Sequence, residues 1–257
     1  MTTTHDHQDV ALAASLAQGA GEVLLALRAA GTATGPAGDR AANDYLLSRL
    51  AELHPQDAVL SEESLDDPAR LTAERVWIID PLDGSREFAE RTTDGGWRDD
   101  FAVHVGLWTR GSGLTAGAVA LPARGQVHRC DDPLLPAPVR ADGKLRVAVS
   151  RTRPPALIEL LAREIPLELV PMGSAGVKAM AVVTGEVDAY LHAGGQHEWD
   201  SAAPVAVAHG IGLHTSRVDG AELEYNSPSP WLPDLLICRR EVAGRLLRAL
   251  ERAGGQA

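Results

Sequence analysis

Three short acidic motifs stand out in the sequence because their carboxylates could serve a single reaction. They are SEES at residues 61–64, DPLD at residues 80–83 and EWDSAA at residues 198–203. Each adjoins a predicted strand end or helix start, where a side chain can point into a cleft at the edge of a sheet. Taken alone, each has an ordinary interpretation as a solvated loop, a turn or a helix cap. Their joint occurrence indicates a shared site.

The carboxylates of these motifs would need a cation if they converge. Glu62, Asp80, Asp83 and Asp200 would repel one another by several kcal/mol per pair in a partly dry cleft. Oxygen ligands without a histidine or thiolate partner favour magnesium or manganese over zinc. Two divalent ions would offset the four charges and bind phosphate oxygens. The residues therefore predict metal-assisted phosphoryl hydrolysis, with one ion lowering the pKa of the attacking water.

The turn after the predicted strand Arg75–Ile79 has a composition suited to ligand binding. Pro81 stiffens the chain where it leaves the strand, and Gly84 lets the backbone approach a ligand closely. The carbonyl of Leu82 would then face the metal. The N–H groups of Gly84 and Ser85 would begin a short helix and bind an anion at its N-terminus.

Composition limits the classes of function. The chain has 257 residues, 45% of them hydrophobic, and a formal net charge of -11. This charge argues against broad binding to nucleic acid polymers or anionic membranes. The two cysteines, Cys130 and Cys238, have no metal-like spacing, which favours a reducing cytoplasm. No secretory signal is recognised, and no segment reaches the roughly 18 apolar residues of a membrane helix.

The first half of the chain reads as helices followed by a mixed or antiparallel sheet. Helical spacing predicts helices at Val10–Ala30 and Arg40–Leu53, the second with Asp39 as its N-cap. Alternating apolar runs between glycine-rich turns predict a group of strands. These lie at Ala58–Leu60, Arg75–Ile79, Phe101–Thr109, Leu114–Leu121 and Gln126–Arg129.

The second half alternates strands and helices, which predicts a parallel or mixed sheet covered by helices. The predicted elements are strands at 145–150, 167–170, 187–191 and 235–238 and helices at 155–164, 174–184 and 241–253. Another helix should begin at Asp200 as its N-cap, with Pro204 in the first turn. We expect two closely packed lobes, residues 1–140 with the first two motifs and residues 141–257 with the third.

In their full context the motifs resemble a known family. LSEES, WIIDPLDGSREF and EWDSAAPVAVAHGIGL are similar, in order and separation, to the signatures of the magnesium-dependent, lithium-sensitive inositol monophosphatase superfamily. The resemblance spans about residues 11–239. The serine before the two glutamates, the REF tail, DDFAVHVGLW and GSAGVKAMAVVTGEVDAYLH resemble its CysQ-type 3'(2'),5'-bisphosphate nucleotidases. The resemblance implies a mixed α+β and α/β fold, a layered αβαβα sandwich.

The resemblance also implies the ligands of two or three Mg²⁺ ions, for which Mn²⁺ could substitute. Glu62, Asp80, Asp83 and Asp200 match ligands that act through their side chains, and Leu82 matches one that acts through its backbone carbonyl.

Further residues match positions that act on water. Ser85 stands where the family usually has threonine, whose hydroxyl helps orient the nucleophilic water together with Glu62. Asp39 resembles the aspartate that hydrogen-bonds this hydroxyl, and its alternative is the helix cap.

Substrate contacts are implied at Gly84, Ser85, Ser174 and Lys178. A lysine suits a second phosphate, which a bisphosphorylated nucleotide has and inositol monophosphate lacks. The alternative for Lys178 is a solvated helix position. Trp97 and Trp231, in predicted loops, are also free to contact a nucleotide.

The resemblance implies an enzyme that converts 3'-phosphoadenosine 5'-phosphate to AMP and phosphate, clearing a by-product of sulfate assimilation. The nearest alternative is a sugar phosphatase for inositol monophosphate or fructose 1,6-bisphosphate, since the metal site would be the same. A non-catalytic regulator that binds metal or nucleotide is an alternative of another class. The partner is then a small phosphorylated molecule, and a homodimer is common in the superfamily.

Overall fold

The computed structural model of the chain describes residues 7–133, 143–152 and 156–254. The helices in these ranges are α1 (His7–Ala29), α2 (Gly35–Leu53), α3 (Ser85–Ala89), α4 (Ala156–Glu164), α5 (Ala175–Val183), α6 (Glu198–Gly210) and α7 (Arg240–Gly254). The strands are β1 (Ala58–Ser61), β2 (Arg75–Asp83), β3 (Ala102–Thr109), β4 (Gly113–Leu121), β5 (Gln126–Arg129), β6 (Leu145–Ser150), β7 (Leu167–Met172), β8 (Ala189–His197), β9 (His214–Ser216) and β10 (Trp231–Cys238). The predicted helix start at residue 155 and the predicted lobe boundary at residue 140 lie outside the described residues.

The strands form two mixed sheets. The first has the order β1-β2-β3-β4-β5, with β1 parallel to β2 and the other pairs antiparallel. The second has the order β7-β6-β8-β10-β9. Strand β6 runs parallel to β7 and β8, whereas β10 runs antiparallel to β8 and β9. Each half of the chain thus builds one sheet.

Helices separate and cover the two sheets. Helices α1 and α2 pack on the outer face of the first sheet, α5 and α6 lie between the sheets, and α4 and α7 cover the outer face of the second. The strand run Val76–Ile79 is fully buried, as expected of a strand with helices on both sides. The predicted layered αβαβα sandwich is confirmed.

Two glycines let α6 lie close to the first sheet. Gly106 of β3 and Gly117 of β4 are cross-strand partners. A Cβ atom on Gly117 would lie 2.5 Å from Ala206 Cβ, and one on Gly106 would lie 3.1 Å from Ala203 N. The missing side chains therefore set how closely α6, which carries Asp200, approaches the sheet.

Helix α1 is apolar as well as long. It is long and apolar enough to cross a membrane by length and composition alone, so the prediction that no segment is was wrong. Its apolar face is nevertheless buried: Val10, Leu16 and Leu24 are at most 1% exposed, in the cluster that joins α1 to the first sheet. This is the pattern of a core helix.

Helix α2 begins earlier than predicted. Thr34 is its N-cap, and the Thr34 side chain accepts a hydrogen bond from Ala37 N at 3.3 Å. Pro36 lies in the first turn, where its missing N–H costs little. The prediction that Asp39 caps this helix was wrong, and its carboxylate is available for another partner.

Helix α6 also begins earlier than predicted. His197 is its N-cap, and Asp200, the third helical residue, accepts a hydrogen bond from His197 N at 2.6 Å. This arrangement is a capping box, so the prediction of Asp200 as the N-cap was wrong. Pro204 consequently lies inside the helix rather than in its first turn. Because Pro204 has no N–H, it leaves the carbonyl of Asp200 without its helical donor.

The central strands of the second sheet are longer than predicted. Strand β8, which was predicted to end at residue 191, continues to His197. It passes through Gly194 and Gly195, which both have a positive φ. Strand β10 begins at Trp231, so placing Trp231 in a loop was wrong, and the pairing of β8 with β10 shifts register between Leu232 and Asp234. Pairing between distant strands supplies structure that local sequence does not indicate.

Candidate active site

Asp80 lies at the point where β2 leaves regular pairing with β3. The register of the pair shifts between Asp80 and Asp83, which turns both side chains toward the space between the sheets. Asp80 is 1% exposed; its Oδ1 accepts a hydrogen bond from Leu82 N at 3.1 Å, and its Oδ2 is buried without a partner. Burial, followed by repulsion from Asp83 and Glu62, raises its pKa well above the usual value.

Asp83 has a contrasting environment. Its Oδ2 accepts hydrogen bonds from Ser174 Oγ and from Gly176 N, the latter at 2.6 Å, and lies 3.3 Å from His104 Nε2. Burial alone would raise its pKa, but His104, Lys178 and Ser174 hold the pKa of this carboxyl well below its usual range. Asp83 is therefore the carboxylate of the cluster whose charged form its neighbours favour most.

Glu62 and Asp200 approach this pair from other elements. Glu62 follows β1, and its side chain is partly open to solvent while its carboxyl group lies among the other acids. Burial and repulsion from Asp200, Asp83 and Glu63 raise its pKa to about 7, although an interaction with Asp80 opposes the shift. Burial also raises the pKa of Asp200, despite the hydrogen bond from His197 N. The four carboxylates thus lie within electrostatic reach of one another.

The donor set fits a hard divalent cation. Within the described ranges, no three acidic, histidine or cysteine side chains are gathered tightly enough to form a finished metal site. The acidic neighbours are all oxygen donors, however, and the buried Asp80 Oδ2 has no hydrogen-bond partner. A buried carboxylate oxygen is costly unless a donor or a cation satisfies it. Oxygen donors of this kind suit magnesium-like ions rather than zinc.

The turn after Asp83 places a hydroxyl beside the cluster. Ser85 Oγ donates a hydrogen bond to Asp39 Oδ1 at 2.6 Å and lies 3.2 Å from the Leu82 carbonyl oxygen. Burial raises the pKa of Asp39, and the bond from Ser85 opposes that shift. Gly84 has a φ of 93°, and a Cβ atom there would lie 3.3 Å from Asp100 O. The turn therefore requires glycine.

Ser174 and Lys178 lie on the other side of Asp83. Ser174 caps α5, and its hydroxyl accepts from Val177 N while donating to Asp83. Its φ of 53° is unusual for a residue with a side chain. Lys178 is only 6% exposed and donates to the carbonyls of Gly173 and Ser174. Burial lowers its pKa. The alternative of a solvated helix lysine is therefore wrong.

A cavity of about 310 Å³ adjoins the carboxylates. Its lining includes Asp200 of the cluster, Lys178 and Trp231, whose side chain is 53% exposed. Gly195 lies against the indole, because a Cβ atom there would be 2.7 Å from Trp231 Nε1. Other lining residues include Ser150, Ala175, Tyr190, His192, Gly194, Gln196 and His197. In contrast, Trp97 does not line this cavity, and the Cζ atoms of Arg28 and Arg91 lie 5.0 and 3.5 Å from its ring centroid.

The structure adds His104, which the sequence interpretation missed. It is fully buried beneath the cluster and is the cross-strand partner of Asp80. Its only signal in the sequence is a polar residue in the apolar run DDFAVHVGLW.

The structure also adds the buried Arg70, which donates a hydrogen bond to Asn226 Oδ1 at 2.7 Å. The backbone N–H of Asn226 in turn donates to Glu198 Oε2 at 2.7 Å. This chain of bonds joins the loop after Glu62 to the start of α6. No local sequence signal marks it.

Similar proteins share this architecture. The family model described as the inositol monophosphatase family matches residues 7–254. A Mycobacterium leprae protein named 3'-phosphoadenosine 5'-phosphate phosphatase is 52% identical over 254 residues, covering 93% of this chain and 92% of the relative. A Mycobacterium bovis protein of the same name is 56% identical over 222 residues, covering 84% and 81%. The structure of Mycobacterium tuberculosis SuhB is 25% identical with a TM-score of 0.74, covering 98% and 99%. The chain belongs to the inositol monophosphatase family.

Proposed function

We propose that this chain is a magnesium-dependent phosphatase that removes the 3'-phosphate of 3'-phosphoadenosine 5'-phosphate, giving AMP and phosphate. The observation that carries the proposal is the meeting of Glu62, Asp80, Asp83 and Asp200 beside a cavity whose wall contains the buried cation of Lys178. The names of the mycobacterial relatives support the same reaction.

In this proposal Glu62, Asp80, Asp83, Asp200 and the Leu82 carbonyl hold two or three Mg²⁺ ions. When bound, magnesium neutralises the carboxylates and the substrate phosphate and lowers the pKa of a coordinated water. A hard ion that retains water and binds phosphate oxygens matches this all-oxygen ligand set.

The attacking water is positioned by Ser85 and Glu62. The hydroxyl hydrogen of Ser85 is donated to Asp39, which leaves the Ser85 oxygen free to accept a hydrogen bond from water. Glu62, as the family resemblance implies, would help orient that water and accept its proton. Water then adds to phosphorus as the bond to the 3'-oxygen breaks, and the 3'-oxygen gains a proton to become a hydroxyl.

The cavity next to the cluster suits the rest of a nucleotide. Lys178 presents a positive charge for the 5'-phosphate, and the exposed indole of Trp231 offers a face for the adenine. Inositol monophosphate lacks both a second phosphate and an aromatic base, and fructose 1,6-bisphosphate has a second phosphate but lacks the base. We therefore favour the bisphosphate nucleotide over inositol monophosphate and fructose 1,6-bisphosphate.

We place the reaction in the cytoplasm, since neither of the two buried cysteines, Cys130 and Cys238, forms a disulfide. The relevant partner is a small phosphorylated molecule. A homodimer remains a prediction from the family resemblance.

Phosphate release from the bisphosphate nucleotide, inositol monophosphate and fructose 1,6-bisphosphate, each with and without Mg²⁺, tests the proposal. We expect the highest kcat/KM on the nucleotide and no turnover in EDTA. Asp83→Asn should abolish turnover while the far-ultraviolet circular dichroism spectrum is retained. Equal or faster turnover of the sugar phosphates would contradict the substrate assignment, and metal-independent turnover would contradict the mechanism.

A further inference from the structure

His104 is a buried residue that contacts both Asp83 and the backbone next to Asp200 in the candidate metal site. The ring, 0% exposed, lies on β3 between the end of β2 and the start of α6. Its Nδ1 lies 3.1 Å from the carbonyl oxygen of Trp199, the residue before Asp200. Its Nε2 lies 3.3 Å from Asp83 Oδ2, outside the alignment of a full hydrogen bond. A single rigid ring thus spans between Asp83 and the backbone that carries Asp200.

The two nitrogens of the His104 ring face the carbonyl of Trp199 and the carboxylate of Asp83. A carbonyl oxygen only accepts hydrogen bonds, so Nδ1 is the donor to Trp199. Nε2 then lies against Asp83 Oδ2 at 3.3 Å as a packing contact. Oδ2 of Asp83 already accepts from Ser174 Oγ and Gly176 N. With the ring packed beside these two donors, Oδ2 is enclosed by protein and Oδ1 is left for a cation.

The elements packed around the His104 ring hold it in one position. A Cβ atom on Gly176 would lie 2.2 Å from His104 Nε2, so the backbone of α5 packs directly against the ring edge. Nδ1 lies 3.8 Å from Asp80 Oδ2 on the opposite side. The ring packs against α5, β2 and α6 at the same time. A shift of any one of these elements would therefore move the other two.

We propose that His104 is a positioning residue that sets the orientation of Asp83 and its spacing from Asp200, and thereby the affinity of the site for divalent cations. This inference rests on the proposed function, because it assumes that Asp83 and Asp200 are metal ligands. Partners of this kind behind metal ligands typically change metal affinity or activity by about 10- to 100-fold.

Two variants separate the two contacts of the ring. In His104→Asn the amide nitrogen falls near the place of Nδ1 and keeps the donor to Trp199, but the contact with Asp83 is lost. In His104→Gln the amide nitrogen reaches toward Asp83, and the donor to Trp199 is lost. His128→Asn, a half-buried histidine on β5 of the same sheet, is the matched control.

Binding of Mn²⁺ without substrate, followed by electron paramagnetic resonance, gives a readout that does not depend on turnover. We expect both His104 variants to bind Mn²⁺ about 10-fold more weakly than the parent. The Mg²⁺ concentration for half-maximal rate should rise by a similar factor, while kcat at saturating Mg²⁺ changes less. His128→Asn should match the parent.

The direction of the change distinguishes positioning from charge or from general stability. Loss of a positive ring charge alone would strengthen cation binding, so affinity that rises or stays equal in folded His104 variants would overturn the proposal. A parent chain that binds no Mn²⁺ would instead defeat the proposed function. If the variants do not fold, a crystal structure of the parent with Mn²⁺ decides: Asp83 Oδ1 on the ion with Oδ2 turned toward the ring supports the proposal, and Oδ2 on the ion overturns it.

Discussion

Ser85 and Asp39, which are 46 residues apart in sequence, are joined by a hydrogen bond of 2.6 Å from the serine hydroxyl to Asp39 Oδ1. The bond links the turn after the DPLD motif to the first turns of α2. Gly35 of α2 allows the approach, because a Cβ atom there would lie 3.3 Å from Ser85 O. The hydroxyl therefore has a fixed direction before any substrate arrives.

The first prediction concerns this hydroxyl. Ser85→Ala should lower kcat about 100-fold, the lower range for a group that assists proton transfer, because the attacking water loses its acceptor. Ser85→Thr should equal or exceed the parent, since the added methyl restricts the rotamer. Steady-state rates on the bisphosphate nucleotide at saturating Mg²⁺ measure both. Ser112→Ala, an exposed turn serine, is the control, and an active Ser85→Ala enzyme would remove the assigned role.

The second prediction concerns Lys178. Lys178→Met should raise KM for 3'-phosphoadenosine 5'-phosphate at least about 30-fold, because truncating one partner of a buried charge pair costs roughly 2–5 kcal/mol. KM for adenosine 3'-monophosphate, which lacks the second phosphate, should change little. Lys144→Met, at an exposed position, is the matched control. Equal losses on the two substrates would mean that Lys178 acts on the metal site rather than on the 5'-phosphate.

The third prediction concerns stability in the absence of metal. Glu62, with a pKa of about 7, and Asp80 and Asp200, with raised pKa values, hold protons longer in the folded chain than in the unfolded one. Their contribution to stability is therefore full below pH 4 and is lost as the pH rises toward 7 and beyond. In EDTA, Tm should fall between pH 5 and pH 8 by at least 2–4 °C, the shift that about 1 kcal/mol produces in a chain of this size.

Saturating Mg²⁺ should reduce that fall, because the ion compensates the charges that appear at high pH. Glu62→Gln should flatten the dependence in EDTA and raise Tm at pH 8. Differential scanning fluorimetry across the pH range, with and without Mg²⁺, measures both effects. A Tm in EDTA that rises steadily from pH 5 to pH 8 would show that the carboxylates are not forced together.

The fourth prediction concerns the buried Arg70. Arg70→Met should reduce the free energy of unfolding by about 2–3 kcal/mol, because the buried Asn226 loses a charged donor at 2.7 Å. Arg110→Met is a matched control, since exposed Arg110 donates to the carbonyls of Leu71 and Ala73 in the same region. It should cost less than about 1 kcal/mol. Urea denaturation measures both, and equal costs would contradict a linking role for Arg70.

The site was more predictable than the local helix boundaries. Glu62, Asp80, Asp83 and Asp200 could be grouped from the sequence because the three acidic motifs occur together, although each motif alone is typical of a loop, a turn or a helix cap. Their common electrostatic neighbourhood follows from the fold. In contrast, His104 could not be identified, because its relevance depends on the cross-strand register that places it opposite Asp80.

Helix starts were mispredicted where one carboxylate had two possible uses. Asp39 and Asp200 both have the side chain of an N-cap, and both instead lie inside helices that begin at earlier residues. Their carboxylates are bound by Ser85 and by His197 N. Choosing between cap and site needs the partner from elsewhere in the chain, as does finding the link from Arg70 to Asn226, 156 residues away.

The glycine pair of β3 and β4 limits the substitutions that this enzyme can tolerate. Gly106 and Gly117 touch no carboxylate, yet a single extra methyl at Gly117 would meet Ala206 at 2.5 Å and push the helix away from the strands. The aspartate at the head of that helix would move with it. Damaging substitutions are therefore expected at these two buried glycines as well as at the carboxylates of the site.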